Sequence, residues 1–182
     1  MPINFKVDMN KEAIANLLEE KHQILLNWLE HHDDKLWQSG PKNKWTTGQQ
    51  ALHLLQSIIP VNNALSLPKF ILRFKFGKAN REVRDYDSVV KRYFEKLKDV
   101  EGVISPFSKE MKIPPLSDKE YIMNRLQVEN KKLQYKTRKL SDKQLDELIL
   151  PHPLMGKMPL REIIMWTAYH TEHHTKQLME NY

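Results

Sequence analysis

The sequence predicts an all-α fold, a four-helix bundle, and three observations carry that expectation. Apolar residues recur at helical spacing in four long segments. Only five glycines occur, and the alternating β-branched runs that would mark a sheet are few. No internal repeat divides the 182 residues, which suffice for one domain with a substantial core.

The first helix is expected over 10–33, with Ile14, Leu17, Leu18, Leu25, Trp28 and Leu29 on one face and Asn10 as N-cap. Ser39, Gly40 and Pro41 close the connection that follows. Thr46 or Thr47 opens a second helix running to about Leu65, striped by Ala51, Leu54, Leu55, Ile58, Asn62 and Leu65. Pro60 lies inside it and predicts a kink or a break, because proline has no backbone N–H. A short helix over 68–76 ends at Gly77, and another over 86–99 is marked by Val89, Val90, Tyr93, Phe94 and Leu97. Pro106, Pro114 and Pro115 then indicate an extended connector.

Ser117 to Glu120 has the pattern of a capping box. It predicts a helix to about Lys139 with Ile122, Leu126 and Leu133 inward. A shorter helix is expected over 141–150, then a turn over 151–157. Pro159 stands at the start of the last long helix, a favoured place for proline. Two extra short helices therefore fall in the long connection between the second and third long helices.

Composition narrows the function. No run approaches the roughly 18 apolar residues of a membrane helix, and no membrane partner is expected. The stretch from Met1 to Met9 lacks an apolar core and a small-residue cleavage site, so a cytoplasmic protein without a signal peptide is expected. Cysteine is absent, which removes disulfides, thiolate ligands and a cysteine nucleophile. Any metal must be held by nitrogen and oxygen. The net charge of +6 is dispersed, and even the cluster Lys131, Lys132, Lys136, Arg138 and Lys139 is interrupted by Leu133 and Tyr135. That pattern fits a solvated amphipathic helix, and no nucleic-acid partner is expected.

His170 and His174 stand one turn apart in the run Tyr169-His170-Thr171-Glu172-His173-His174. They share an arc with Leu160, Ile163, Thr167 and Leu178, whereas His173 falls about 80° from the midpoint of the pair. Two imidazoles on an apolar arc need hydrogen bonds or a shared metal ion, since an unpaired buried polar group is costly. Spacing alone allows both. His53 lies nearly opposite the leucine stripe of its helix, beside Gln49, Gln56, Ser57 and Pro60. Either it is exposed, or the leucine stripe packs beneath the extra helices of 67–100 and leaves this face to line a cleft.

Three motifs in order go further: Trp45 eight residues before His53-Leu54, the run His152 to Leu160, and the run Tyr169 to Gln177. Together they resemble the DinB/YfiT-like superfamily over most of the chain, the segment 67–101 being the least familiar portion. The resemblance implies an up-down-down-up bundle with a divalent metal on His53, His170 and His174. Zinc or nickel is implied first, with iron or manganese also fitting. It implies a thiol S-transferase that joins a low-molecular-weight thiol such as bacillithiol to an electrophilic small molecule, and a homodimer. The alternatives are a metal-dependent hydrolase, or a non-catalytic stress-response or binding module with a structural metal or none. Gln56, Ser57 and Glu129 are the candidate neighbours of a metal-bound ligand. His152 is expected to fix its turn, His173 to be exposed or to support the site from outside, and Trp166 and Tyr169 to pack. His22, His31 and His32 read as surface residues.

Overall fold

Asn10 caps the first helix as expected: its side chain accepts from the Ala13 N–H at 2.9 Å and opens α1, Lys11–His31. A computed structural model of the chain describes residues 9–100 and 111–182. Pro106 of the expected connector and residues 1–8 of the N-terminal stretch lie outside the described residues. Ile14, Leu18, Leu25, Trp28 and Leu29 of α1 are buried and Leu17 is half-buried. A one-turn helix not foreseen, α2 (Lys35–Gln38), buries Trp37, whose indole N–H donates to Pro115 O at 3.1 Å. Gly48 makes room for it, since a Cβ there would stand 2.6 Å from the Trp37 carbonyl oxygen.

Thr46 and Gln49 form a capping box at the start of α3, Thr47–Ser66. Of the kink or break anticipated at Pro60, the break does not occur, for α3 runs on through it. Pro60 sits on the exposed face, where the carbonyl it leaves unpaired can be hydrated, and the opposite face is held by packing. After α4 (Lys69–Phe76) the chain turns at Gly77, whose φ of +88° suits glycine. Asp85 caps α5, Tyr86–Asp99, by accepting from the Ser88 N–H at 2.8 Å.

The capping box expected at Ser117 does not form. A 3-10 turn over Leu116–Asp118 leads into α6 (Lys119–Lys139), and the Ser117 hydroxyl meets Asp118 Oδ1 at 3.4 Å instead. Pro114 and Pro115 set this entry, with the Asp118 N–H closing the turn on Pro115 O. The next helix, α7 (Asp142–Glu147), is shorter than expected and is opened by a Ser141–Gln144 capping box. Ile149 and Leu150 leave it for strand β1 (Ile149–His152), which pairs antiparallel with β2, Gly156–Pro159. The expected turn is therefore a β-hairpin, and His152 pairs with Gly156 at its tip. The last helix, α8, spans Leu160–Asn181.

The four long helices are α1, α3, α6 and α8. Both α1 and α3 pack on α6 and on α8, while α5 lies on α8 and α4 lies on β1. The fold is mostly helical, with one two-stranded hairpin among the described residues. Fully buried leucines at 18, 25, 126, 133 and 160 contribute roughly 2 kcal/mol each to burying this interior. Among the described residues no helix is long and apolar enough to cross a membrane.

His22 is not a surface residue. It is 2% exposed between α1 and α8, with Nδ1 donating to Leu18 O at 3.0 Å and Nε2 facing Thr171 Oγ1 at 3.5 Å. The spacing allowed this, since His22 follows Leu18 by four residues and precedes Leu25 by three on the edge of the same stripe. Burial pushes the His22 imidazole down to about 4. Between pH 4 and pH 6.5 the unfolded chain therefore binds a proton that the folded chain refuses, so stability rises with pH across that window. The contribution is about 3 kcal/mol. Replacing His22 with methionine should flatten that share of the slope in urea unfolding measured from pH 4 to pH 7. His31 is exposed as expected, but His32 is half-buried, stacked on Trp28 at 3.6 Å.

Candidate metal centre

Helix α8 keeps His170 and His174 on its buried arc, 3% and 7% exposed, and α3 brings His53 to them from across the interior. His170 Nε2 lies 3.1 Å from His53 Nε2 and 3.1 Å from His174 Nε2. A ring nitrogen has one in-plane site, either a proton or a lone pair, so His170 Nε2 can complete only one of these contacts as a hydrogen bond. One cation between the three atoms satisfies all of them. Ligands at about 2.0–2.1 Å on a tetrahedral ion stand roughly 3.3 Å apart, close to the spacing here. His53, His170 and His174 form a cluster that can hold a metal ion.

Of the two placements the sequence allowed for His53, the inward one is realised, though by a different packing. The leucine stripe of α3 lies on α6 and not beneath α4 and α5. Contacts to both α6 and α8 give α3 a second covered side, where His53 is half-buried.

The surroundings prepare the nitrogens. His174 Nδ1–H donates to Gln50 Oε1 at 2.7 Å, which leaves the lone pair on Nε2, toward its neighbours. Trp166 stacks on His170 with centroids 4.6 Å apart, and Trp45 stacks parallel to His174 at 6.3 Å and tilts on His53 at 5.0 Å. The Tyr182 hydroxyl donates to Trp45 O, tying the end of α8 to the entry of α3. From α5, Tyr93 reaches His170 and His173 edge-on.

Burial is the largest cause of every histidine shift at this site. His53 is pushed down to about 4 by burial and then by His173. His170 falls well below its ordinary value through burial and then His174, His53, His173 and His152. His174 does so through burial and then His53 and His173. All three imidazoles are thus held neutral near pH 7, the form that offers a lone pair. Burial also raises the Tyr93 phenol to about 12, so it stays protonated.

Gln56 is exposed, and Ser57 gives its hydroxyl proton to Leu54 O at 2.8 Å. Glu129 is buried in a separate cluster, taking Asn62 Nδ2 at 2.9 Å, Lys132 at 2.8 Å and Arg125 at 3.0 Å. Asn62 follows His53 by nine residues, about 13 Å along α3, so Glu129 sits far from the nitrogens. His152 fixes its turn as expected, Nδ1 accepting from the Leu154 and Met155 N–H groups. Its ring also stands edge-on to Trp166 at 4.2 Å, the tryptophan that backs His170. His173 is half-buried, its Nε2 3.2 Å from Gln177 Nε2. Trp166 and Tyr169 are buried packing residues as expected.

Sequence reasoning overlooked Gln50. Its signal was available: it precedes His53 by three residues, one turn along the same side of α3.

Residues 17–178 match the family model described as the DinB superfamily. No curated protein and no solved structure matches the chain.

Proposed function

The chain belongs to the DinB superfamily, and from that premise we propose that it is a metal-dependent enzyme working at His53, His170 and His174. The reaction joins a low-molecular-weight thiol to an electrophilic small molecule. The observation that carries the reading is His170 Nε2 at 3.1 Å from two other ring nitrogens, a contact set that hydrogen bonding alone cannot complete.

The donor set fits a divalent cation such as zinc or nickel, with iron or manganese also compatible with imidazole ligands. When bound, such an ion supplies positive charge that favours the deprotonated, nucleophilic form of a thiol or of a water. The chain's own residues do the rest. Gln50 fixes the His174 tautomer, and Trp166 and Trp45 hold the ring planes. Tyr93, 7% exposed, screens the His170 side from solvent with a neutral phenol. No cysteine is available as nucleophile, so the thiol must diffuse in. Hydrolysis is the companion reading at the same nitrogens, with water in place of the thiol.

The bundle connectivity belongs to the same reading. Glu12–Arg138 and Asp34–Lys119 set α1 antiparallel to α6. Asn62–Glu129 and Ser66–Lys136 run α3 parallel to α6, while Gln50–His174 and Lys44–Asn181 run it against α8. These contacts support up-down-down-up. The cytoplasmic assignment rests on the sequence reading alone.

The test is thiol consumption by metal-loaded protein with a panel of small electrophiles. The expected result is turnover in the wild type, lost in His53→Ala. Metal-loaded wild type that hydrolyses esters or amides but never consumes thiol moves the assignment to the hydrolase, and loaded protein inert in both assays rejects an enzyme.

A further inference from the structure

The segment 67–101 contributes a surface that the metal centre does not use. Helix α4 carries Lys69, Phe70, Arg73, Phe74 and Lys75 and no acidic residue. Leu67, Phe70 and Phe74, spaced three and then four residues apart, are 38%, 71% and 94% exposed. Its other side is anchored, with Leu72 fully buried and the helix lying on β1. The exposed rings are therefore held outward by a fixed helix.

Cations surround them. Arg73, Lys78 and Lys143 share one carboxylate, Glu147, at 3.0, 3.8 and 3.7 Å. Lys75 lies over the Phe76 ring, and Lys157 Nζ donates to Phe76 O at 3.1 Å. Alongside runs a groove of about 390 Å³ lined by Phe76, Gly77, Lys78, Arg81, Ile149 and Lys157. Positive charge on its rim and outward phenylalanines on its shoulder describe a surface for something anionic and apolar together.

We infer that α4 and this groove dock the protein on an anionic phospholipid surface, with Phe70 and Phe74 entering the interface and the lysines facing headgroup phosphates. A helix of basic and aromatic residues lying in the interface plane binds in this way. A second copy is disfavoured on this face, because an isologous contact would set Lys69, Arg73 and Lys75 against themselves. A folded acidic partner would need a pocket for each protruding ring, whereas a lipid surface deforms around them. The expectation of no membrane partner rested on the lack of a long apolar run, a criterion that does not address surface docking.

The experiment is vesicle co-sedimentation of the full chain. Expected is binding to phosphatidylcholine vesicles containing phosphatidylserine, at least about ten-fold stronger than to phosphatidylcholine alone and weakened by salt. Phe70→Ser/Phe74→Ser and, separately, Lys69→Glu/Lys75→Glu should each reduce it by about ten-fold or more. The variants alter positions that are exposed or, at Lys69, half-buried, and should keep the wild-type circular dichroism and metal content. No binding to anionic vesicles at low salt overturns the inference. So does binding that the phenylalanine variant leaves intact. A concentration-dependent dimer lost in that variant, or capture by polyglutamate without vesicle binding, assigns the face to another occupant and also overturns it.

Discussion

Replacing His170 with alanine should abolish divalent-metal binding. His170 is the middle nitrogen of the three, 3.1 Å from each of the others, so its loss leaves two imidazoles without the atom that joins them. Supporting residues around a metal typically govern 10–100-fold in affinity, and a central ligand should cost at least about a hundred-fold. The same substitution should leave the metal-free fold nearly intact. In the metal-free chain His170 keeps a buried Nδ1 without a hydrogen-bond partner among the described residues, and alanine removes that cost while giving up the stacking on Trp166. Two measurements separate these effects. Zinc at about one hundred times the wild-type dissociation constant should stabilise the wild type by roughly 2.7 kcal/mol and the variant by no more than about 0.4 kcal/mol. Metal content by elemental analysis should fall in step. A variant that still binds one equivalent with unchanged affinity would remove His170 from the site and, with it, the three-nitrogen reading.

The largest effect on stability away from the site is expected at Glu162. This carboxylate in the first turn of α8 is fully buried and holds both Arg81 (2.5 and 2.7 Å) and Arg84, whose backbone N–H donates to it at 2.7 Å. Glu162→Gln keeps the shape and removes the charge, leaving two guanidiniums without their counterion. Removing one partner of a buried pair costs about 3–5 kcal/mol. The arginines are about one-third exposed and can partly rehydrate, which places the expectation at about 2–4 kcal/mol in urea unfolding. Because the segment 81–85 leads directly into α5, amide exchange there should rise more than in α1 or α6. The consequence reaches the site through Tyr93, which α5 carries to His170. A change below about 0.5 kcal/mol would mean that the network holds nothing that hydration does not replace.

Local chemistry was legible in the sequence wherever one helix decides the matter alone. The cap at Asn10, the opening of α3 at Thr46 or Thr47, the stop at Gly77, the bounds of α5 and the inward arc of His170 and His174 all follow from spacing, capping geometry and backbone freedom within a few residues. What failed was set by neighbours. The Ser117 capping box yielded to a turn fixed by Pro114 and Pro115, and Ile149 and Leu150 left a helix because β2 offered them a ladder. Pro60 was absorbed because its side of α3 meets water.

The face a helix buries is a property of the elements around it. Periodicity finds one stripe, but α3 lies between two long helices and is covered on a second side. That is why His53 could be placed among the other histidines only through a family resemblance, and why Gln50, whose partner His174 is 124 residues away, drew no notice. The sequence by itself determined a helical chain with two imidazoles on one buried arc. Tertiary structure decided the third imidazole, the glutamine that orients the second, and the tryptophans and tyrosine packed against them, because those depend on which helices meet.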